Sequence, residues 1–406
     1  MGEGRRFQFL TDQLILSATK MGDATPASVV ELLQSTVRIN SVNSNVRGRP
    51  GSEEELIGFL EAVAGSFGFA TRRCPVEGYG TNLLVLYERE RGLPWLLFDS
   101  HADTVAAEGM SIDPFGAEIR DGRLWGRGAC DTKGSGAAML WAARGYAASM
   151  NGPNNVAILF SVDEEWGMRG IRSFLARDYP SLGFTFRGAI VGEPTVLRPV
   201  VAHGGICRFR VVTKGVAAHS SNPSLGRSAI SSMMRILQAV ETRYVPSLRA
   251  SHPLIGRAQC SVNTIRGGVA SNIIPDRCEI EVDRRMVPGE HPEEVARLFG
   301  ETLAAVRDEH PEVEYVLESI FEAPPLSADG SAELFATARG VLTSMGLSPE
   351  PSGAAYTTHA GAYAAAGLPA IVIGPGDVAK AHTADEWIEL AELERSVAVY
   401  RGIMEA

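Results

Sequence analysis

Cysteine is scarce in this chain. There are five, Cys74, Cys130, Cys207, Cys260 and Cys278, an odd number with no CxxC spacing. A disulfide framework is therefore not expected, and a reducing compartment is. Long apolar runs are also missing, and none approaches the length that spans a bilayer. The N-terminal MGEGRRFQFLTDQLILSATK has an apolar stretch broken by Thr11, Asp12 and Gln13, with no small-residue cleavage site after it, so it does not read as a signal peptide. Arg6 stands where the myristoylation pattern wants Ser or Thr. A basic excess is lacking as well. Lys plus Arg is 38 against 48 for Asp plus Glu, a net charge of -10. With no basic stripe carrying interleaved aromatics, nucleic acid is not an expected partner. A cytoplasmic protein with no membrane partner is the expectation.

What is present is globular. Hydrophobic residues make up 45% and charged residues 21% of 406 positions, which excludes wholesale disorder and is too much chain for one ordinary core. Two domains are expected. Helical spacing recurs over 26–36 and over 52–69, where Leu56, Phe59, Leu60, Val63 and Phe67 fall on one face. Strands are expected near 82–88 and 95–99, then a glycine-rich turn, GRGACDTKG, opening an Ala-rich helix over 134–149. Strand and helix alternate to Glu193. After Pro199 the pattern changes to half-exposed strands at 206–214, 258–266, 277–286 and 313–319 with helices over 226–243 and after Pro292, a βαββαβ order. The first pattern resumes near 330, with helices to Met345 and over 360–366 and a buried strand Ala370–Ile373. The fold expected is α/β: a mixed, mostly parallel sheet flanked by helices over 1–198 and 320–406, interrupted by an inserted α+β domain over 199–319.

Three apolar runs stop on acidic or imidazole groups. Trp95–Phe98 runs into Asp99-Ser100-His101-Ala102-Asp103, Val156–Phe160 into Ser161-Val162-Asp163-Glu164-Glu165, and Ala189–Val191 into Gly192-Glu193-Pro194. Open α/β sheets place ligands just outside the carboxyl ends of their strands. Each group has an ordinary reading when taken alone: a satisfied core histidine in His101-x-Asp103, a helix cap at Asp131, an exposed acidic pair at Glu164-Glu165, a surface turn at Glu193, a structural His382. On a strand, Asp103 would share a face with His101 and fix its tautomer. On an extended segment Glu164 and Glu165 would point to opposite faces and serve different ends. Taken together, two imidazoles and three carboxylates, with Glu164 to spare, suit two divalent ions sharing a carboxylate, about 3.5–4 Å apart in sites of this kind. Nitrogen and oxygen donors without thiolate suit Zn²⁺, with Mn²⁺ or Co²⁺ also possible.

The segments FDSHADTV, DGRLWGRGACDTKG, SVDEEWG, VGEPT and GPGDVAKAHTADEW occur in the order seen in the dinuclear zinc amidohydrolases, the family of acetylornithine deacetylase, succinyl-diaminopimelate desuccinylase, aminoacylase and carboxypeptidase G. The chain resembles this family from about residue 27 to its end. The resemblance implies that His101 and Glu193 hold one metal, Glu165 and His382 the other, and Asp131 both. It also implies that Asp103 orients His101 and that Glu164 is the general base. The inserted domain resembles the family's lid and dimerisation domain. There GVAAHSSNPSLGRSAI places His219 at an oxyanion-stabilising position, GGVASNIIP places Asn272 at a substrate contact, and VDRRMVPG places Arg285 where a substrate carboxylate is received. Without the resemblance these three would read as a turn cap, a turn former and a strand-face charge.

The segment GAAYTTHAGAYAAAGLPAIVIGPG is most similar to the acetylornithine deacetylase branch, but His359 stands where that branch usually has an acidic residue. An acid there suits a cationic side chain, and a histidine does not do so in the same way. The implied function is metal-dependent hydrolysis of an N-acyl amino acid in a homodimer formed through the lid domain. A metallo-exopeptidase acting on dipeptides is the alternative on the same site, and a non-catalytic metal-stabilised binding protein a second alternative. GxxxxGK[ST] is absent, so GRGACDTKG is not a phosphate loop.

Overall fold

The computed structural model describes residues 25–149 and 152–406. The N-terminal segment, 1–20, read above for targeting signals lies outside them. The chain divides into two compact units. One takes the described residues up to Val201 with Ala328–Ser352 and Thr358–Ala406, and the other takes Ala202–Ser327 with Gly353–Thr357.

The first unit begins with α1 (Val29–Arg38) and α2 (Ser52–Ser66). Ser28 caps α1 by accepting the Glu31 N–H at 3.1 Å, while the Glu31 carboxylate reaches back to the Ala27 N–H at 2.8 Å. The first bond satisfies a donor that the first helical turn leaves free, and the second ties down the residue before the cap. Then follow β1 (Ala70–Val76), β2 (Gly80–Tyr87), β3 (Trp95–His101), α3 (Lys133–Ser149), β4 (Asn155–Ser161) and β5 (Phe186–Val191). Every residue of β3 and of β4 is buried, as suits strands covered on both faces. β3 lies parallel between β4 and β5, with His101 opposite Ser161 and Asp99 opposite Val191. The register therefore stops the strands at one edge and delivers 101–103, 163–165 and 193 there together. Gly136 lets α3 lie close on that sheet, since a Cβ there would come within 2.9 Å of the Ser100 hydroxyl and the Phe160 ring.

The second unit holds β6 (Gly205–Lys214), α4 (Ala229–Ala239), β7 (Gln259–Gly267), β8 (Arg277–Met286), α5 (Pro292–Glu309) and β9 (Glu314–Ala323). Its antiparallel sheet runs β7-β8-β6-β9. Cys207, Phe209 and Val211 alternate inward, and Phe209 stacks on Phe299 of α5 with ring centroids 4.7 Å apart. Arg208 and Arg210 alternate outward and meet Asp283 and Glu281 across the strands. The last strand runs to Ala323 and the unit to Ser327, where the sequence pattern had ended the domain at 319. Its register against β6 shifts between Ser319 and Phe321, so the apolar alternation breaks at Ile320 while the strand continues.

The chain then returns to the first unit with α6 (Ala332–Ser344), α7 (His359–Ala365), β10 (Ala370–Val372) and α8 (Leu390–Glu405). β10 pairs parallel with β5, which gives a parallel centre β4-β3-β5-β10. β2 and β1 add antiparallel strands on one side, and the antiparallel pairing of Val200 with Val372 extends the other. α8 packs against α3, and Val399, Tyr400 and Ile403 enter the same core as Leu140 and Ala143.

Candidate metal centre

The cluster forms at the carboxyl ends of β3, β4 and β5, with the 376–386 loop beside it. Asp131 is its hub. Its Oδ1 lies 3.0 Å from His101 Nε2 and its Oδ2 lies 3.2 Å from His382 Nε2. Glu165 Oε1 lies 3.1 Å from the same His382 nitrogen, and Glu193 Oε2 lies 4.0 Å from His101 Nε2. One carboxylate thus faces two imidazoles through its two oxygens, and each imidazole has a second carboxylate of its own. Donor atoms of His101, Asp131 and Glu165 all lie within 4.8 Å of one another. His382 takes a left-handed backbone, φ 59°, an uncommon conformation for a non-glycine residue.

Charge bookkeeping fits a cation. Burial pushes Glu193 well above the ordinary carboxylate range, and the neighbouring Asp131 pushes it further. Burial and Asp131 likewise raise Glu165. Asp131 is opposed by burial, yet its two histidines hold it below the usual range. Hydrogen bonds to Asp131 and then Glu165 push His382 up to about 11. Burial works against a charged His101, but Asp103 and Asp131 outweigh it and keep the ring well above its ordinary value. Two imidazoles do not neutralise this many carboxylates, and a divalent ion does so directly. The donors are all nitrogen and oxygen. Cys130, next to Asp131, turns its thiol to the Asp377 carbonyl at 3.3 Å. The residues present therefore fit a pair of hard or borderline divalent ions.

Two geometric expectations need correction. Asp103 does not set its carboxylate squarely behind His101. Its backbone carbonyl accepts from Nδ1 at 2.9 Å, and its Oδ1 is 3.6 Å away. The carboxylate instead accepts the backbone N–H groups of Glu164 and Glu165, each at 3.0 Å. Nor is Glu164-Glu165 extended. β4 ends at Ser161, Asp163 turns the chain with φ 64°, and 164–167 form a turn. The two glutamates are separated by this turn, pinned by Asp103, and not by strand alternation. Among the described residues the Glu164 carboxyl has no hydrogen-bond or ion-pair partner. Burial pushes it up to about 8, with the Glu165 charge adding and His101 opposing.

Residues that the pattern passed over complete the support. Asn43 Nδ2 bridges Asp103 Oδ2 at 2.8 Å and Asp163 Oδ1 at 2.9 Å. Arg169 clamps the same Asp163 through Nε at 2.6 Å and Nη2 at 3.1 Å. Glu386, fully buried, accepts the N–H groups of Cys130 at 2.9 Å and Asp131 at 3.0 Å on Oε1, and Arg127 Nη1 at 2.6 Å on Oε2. Lys133 is not directed at the cluster. It donates to the carbonyls of Thr36 and Ile39 at the end of α1, at 3.0 and 2.8 Å. Arg127, Lys133 and Glu386 all sit within motifs quoted above, so their types were visible and their partners were not.

His359 is in the first unit but fully enclosed, its Nδ1 donating to both oxygens of Asp99 at 3.2 and 3.3 Å. His219, Asn272 and Arg285 belong to the second unit. His219 is exposed and pairs with Ser221 at 2.8 Å, and the Asn272 carbonyl accepts the Ser220 N–H beside it. Arg285 Nε meets Asp283 at 2.5 Å.

Residues 97–406 match the peptidase family M20/M25/M40. The chain belongs to this family. It is 35% identical over 306 residues to acetylornithine deacetylase of Myxococcus xanthus, covering 74% of this chain and 76% of that one. It is 32% identical over 352 residues to N-acetyl-L-citrulline deacetylase of Xanthomonas campestris pv. campestris, covering 83% and 90%. The fold is shared with the YXEP protein of Bacillus subtilis, described as a dinuclear metal binding peptidase of the M20 family, at TM-score 0.68 and 14% identity over 93% of this chain and 96% of that one. M20 membership makes this chain an amide-bond hydrolase of the metallopeptidase kind, as the five motifs implied.

Proposed function

We propose that this M20 enzyme removes the acyl group from an N-acyl amino acid, using two divalent ions held by the residues around Asp131. The observation that carries this reading is the division of Asp131 between His101 and His382, one carboxylate oxygen to each. His101, Asp131 and Glu193 would hold one ion, and Asp131, Glu165 and His382 the other. Zn²⁺ suits the donors, with Co²⁺ or Mn²⁺ as substitutes. Such ions, when bound, polarise the amide carbonyl and lower the pKa of a bound water toward neutrality.

The remaining chemistry belongs to side chains. Glu164 stands raised toward neutral pH, with its carboxyl group unpaired and its backbone fixed by Asp103. It takes the proton from the attacking water and returns it to the leaving amine. Asp103 acts as a positioning residue, holding His101 through its carbonyl and the 164–165 turn through its carboxylate. His219 would donate to the oxyanion, Asn272 would contact substrate and Arg285 would receive the α-carboxylate bidentately. A homodimer through the second unit is part of the proposal. It is supported by the exposed apolar side chains Ile230 and Met234 of α4 and Ile265 of β7, a strand at the edge of its sheet. A cytoplasmic location is supported by five free cysteines. No helix among the described residues is long and apolar enough to cross a membrane.

The second reading, a metallo-exopeptidase, is favoured by the peptidase description of the Bacillus subtilis neighbour. Initial rates on N-acetyl amino acids and on dipeptides, measured side by side with metal-loaded protein, separate the two. In the same assay Glu164→Gln with metals retained is expected to lose about 10²–10⁴-fold in kcat. A loss under tenfold would remove Glu164 from the mechanism.

A further inference from the structure

We propose that Arg169 is a positioning residue for the reaction, fixing through Asp163 the short loop that aims the Glu164 carboxyl. This rests on the reading of Glu164 as the general base and names what holds that base in place.

Beyond the end of β4 the chain closes on itself. The Met168 N–H donates to the Asp163 carbonyl at 2.6 Å, which shuts a loop over Glu164, Glu165, Trp166 and Gly167. Both residues at the closure have left-handed backbones, φ 64° at Asp163 and φ 51° at Met168. Non-glycine residues adopt that conformation rarely, and it persists only where the surroundings impose it. The Asp163 side chain is where the surroundings act. It is fully buried, and its Oδ2 accepts Arg169 Nε at 2.6 Å and the Arg169 backbone N–H at 3.2 Å, while its Oδ1 accepts Arg169 Nη2 at 3.1 Å. A planar guanidinium that meets a carboxylate through two donors fixes orientation as well as distance. The guanidinium is itself held, lying over the Tyr79 ring 4.0 Å from its centroid. Gly167 lets the loop close tightly on this pair, since a Cβ there would come within 2.6 Å of Asp163 Oδ2.

The two glutamates on the loop depend on this lock unequally. The Glu165 carboxylate has a tether of its own, His382 Nε2 at 3.1 Å, and sits among the metal donors. The Glu164 carboxyl has no such partner among the described residues. Only its backbone N–H is tied, to Asp103 Oδ1 at 3.0 Å. The backbone of the loop therefore sets where that carboxyl points, and Asp163 with Arg169 sets the loop. A general base must lie within hydrogen-bond reach of the proton it takes, and a displacement of about 1 Å caused by a distant substitution can cost about 10²-fold. Arg169 is not one of the candidate metal donors, so its loss should be felt in turnover through Glu164.

The test is a double-substitution cycle. Values of kcat and KM are measured with Zn²⁺-loaded protein, on whichever N-acetyl amino acid or dipeptide the parent turns over fastest, for the parent, Arg169→Met, Glu164→Gln and the double variant, each with its metal content checked. Arg169→Met is expected to lower kcat by about tenfold or more while KM changes by less than about threefold. In the Glu164→Gln background the same substitution should lower kcat by less than about threefold, because no base is left to misplace. Arg169→Lys keeps the charge without the two-donor fork and should restore part of the lost kcat. Gly167→Ala leaves Arg169 in place but crowds the Asp163 carboxylate. It should show the same dependence on Glu164, and it serves if Arg169→Met does not fold. Equal losses in the two backgrounds, or a loss under tenfold in folded Arg169→Met, would overturn the positioning role and leave Glu164 as the base. A loss under tenfold for Glu164→Gln alone would instead overturn the base reading, and the positioning role with it.

Discussion

Glu386 accepts the backbone N–H of Asp131 at 3.0 Å across 255 positions of sequence. It lies four residues after His382, so one buried carboxylate ties the loop carrying that histidine to the turn carrying the shared aspartate. Arg127 completes the arrangement, neutralising Glu386 and donating through Nη2 to the Thr383 carbonyl at 3.2 Å. Glu386 therefore holds together the two segments that bring Asp131 and His382 to the candidate metal centre.

Glu386→Gln would leave an amide N–H group facing Arg127 and weaken the hold on the Asp131 backbone. Residues that orient metal ligands typically account for about 10–100-fold in metal affinity. Metal titration of the apo protein should show a loss of this order, larger at the site that includes Glu165 and His382 than at the other, since Asp131 serves both. Equal loss at both sites, or none, would place Glu386 in the fold alone.

Asn43 offers a second lever. Its single amide group bridges Asp103 and Asp163, two buried carboxylates of like charge. Hydrogen bonds to charged groups contribute about 1.5–3 kcal/mol each. Asn43→Ala should lower unfolding stability in urea by about that much or more, and should lower kcat because Asp103 pins the turn that carries Glu164. Asn43→Asp should be worse, since it adds a third charge.

Glu53 predicts a pH dependence. Burial, and then the charge on Asp103, raise it from 4.5 to about 8 in the folded protein. The folded state thus keeps a proton that the unfolded chain releases, and stability should fall as pH rises through roughly this window, by at most about 1.4 kcal/mol per pH unit for one proton. Glu53→Gln keeps the acceptor for the Asp163 N–H, which Glu53 receives at 3.0 Å, but removes the titration. In chelated, metal-free protein the variant should gain on the parent as pH rises from 5 to 8. Parallel profiles would contradict this.

The parallel centre and the inserted unit were legible because buried strands and half-buried strands leave different patterns. Trp95–Phe98 and Val156–Phe160 are continuous apolar runs, whereas Cys207, Phe209 and Val211 alternate with arginines. β1 was not legible. Ala70–Val76 contains Arg72, Arg73 and Pro75 and is an edge strand whose arginines are satisfied by Asp178, Glu54 and Glu61, contacts distant in sequence. The cluster around Asp131 was legible as a set of donors at strand ends. Its supports were not, because Asn43, Arg127 and Glu386 act by binding backbone or other carboxylates, and residue type does not announce such partners. The 164–165 turn was misjudged for a related reason, since the left-handed Asp163 that ends the extended run is held by Arg169 and Asn43.

Anomalous diffraction from crystals of the metal-loaded protein tests the central claim most directly. Two peaks are predicted, about 3.5–4 Å apart, on either side of the Asp131 carboxylate. One should lie against His101 and Glu193, the other against Glu165 and His382. A single peak, or peaks away from Asp131, would contradict the account.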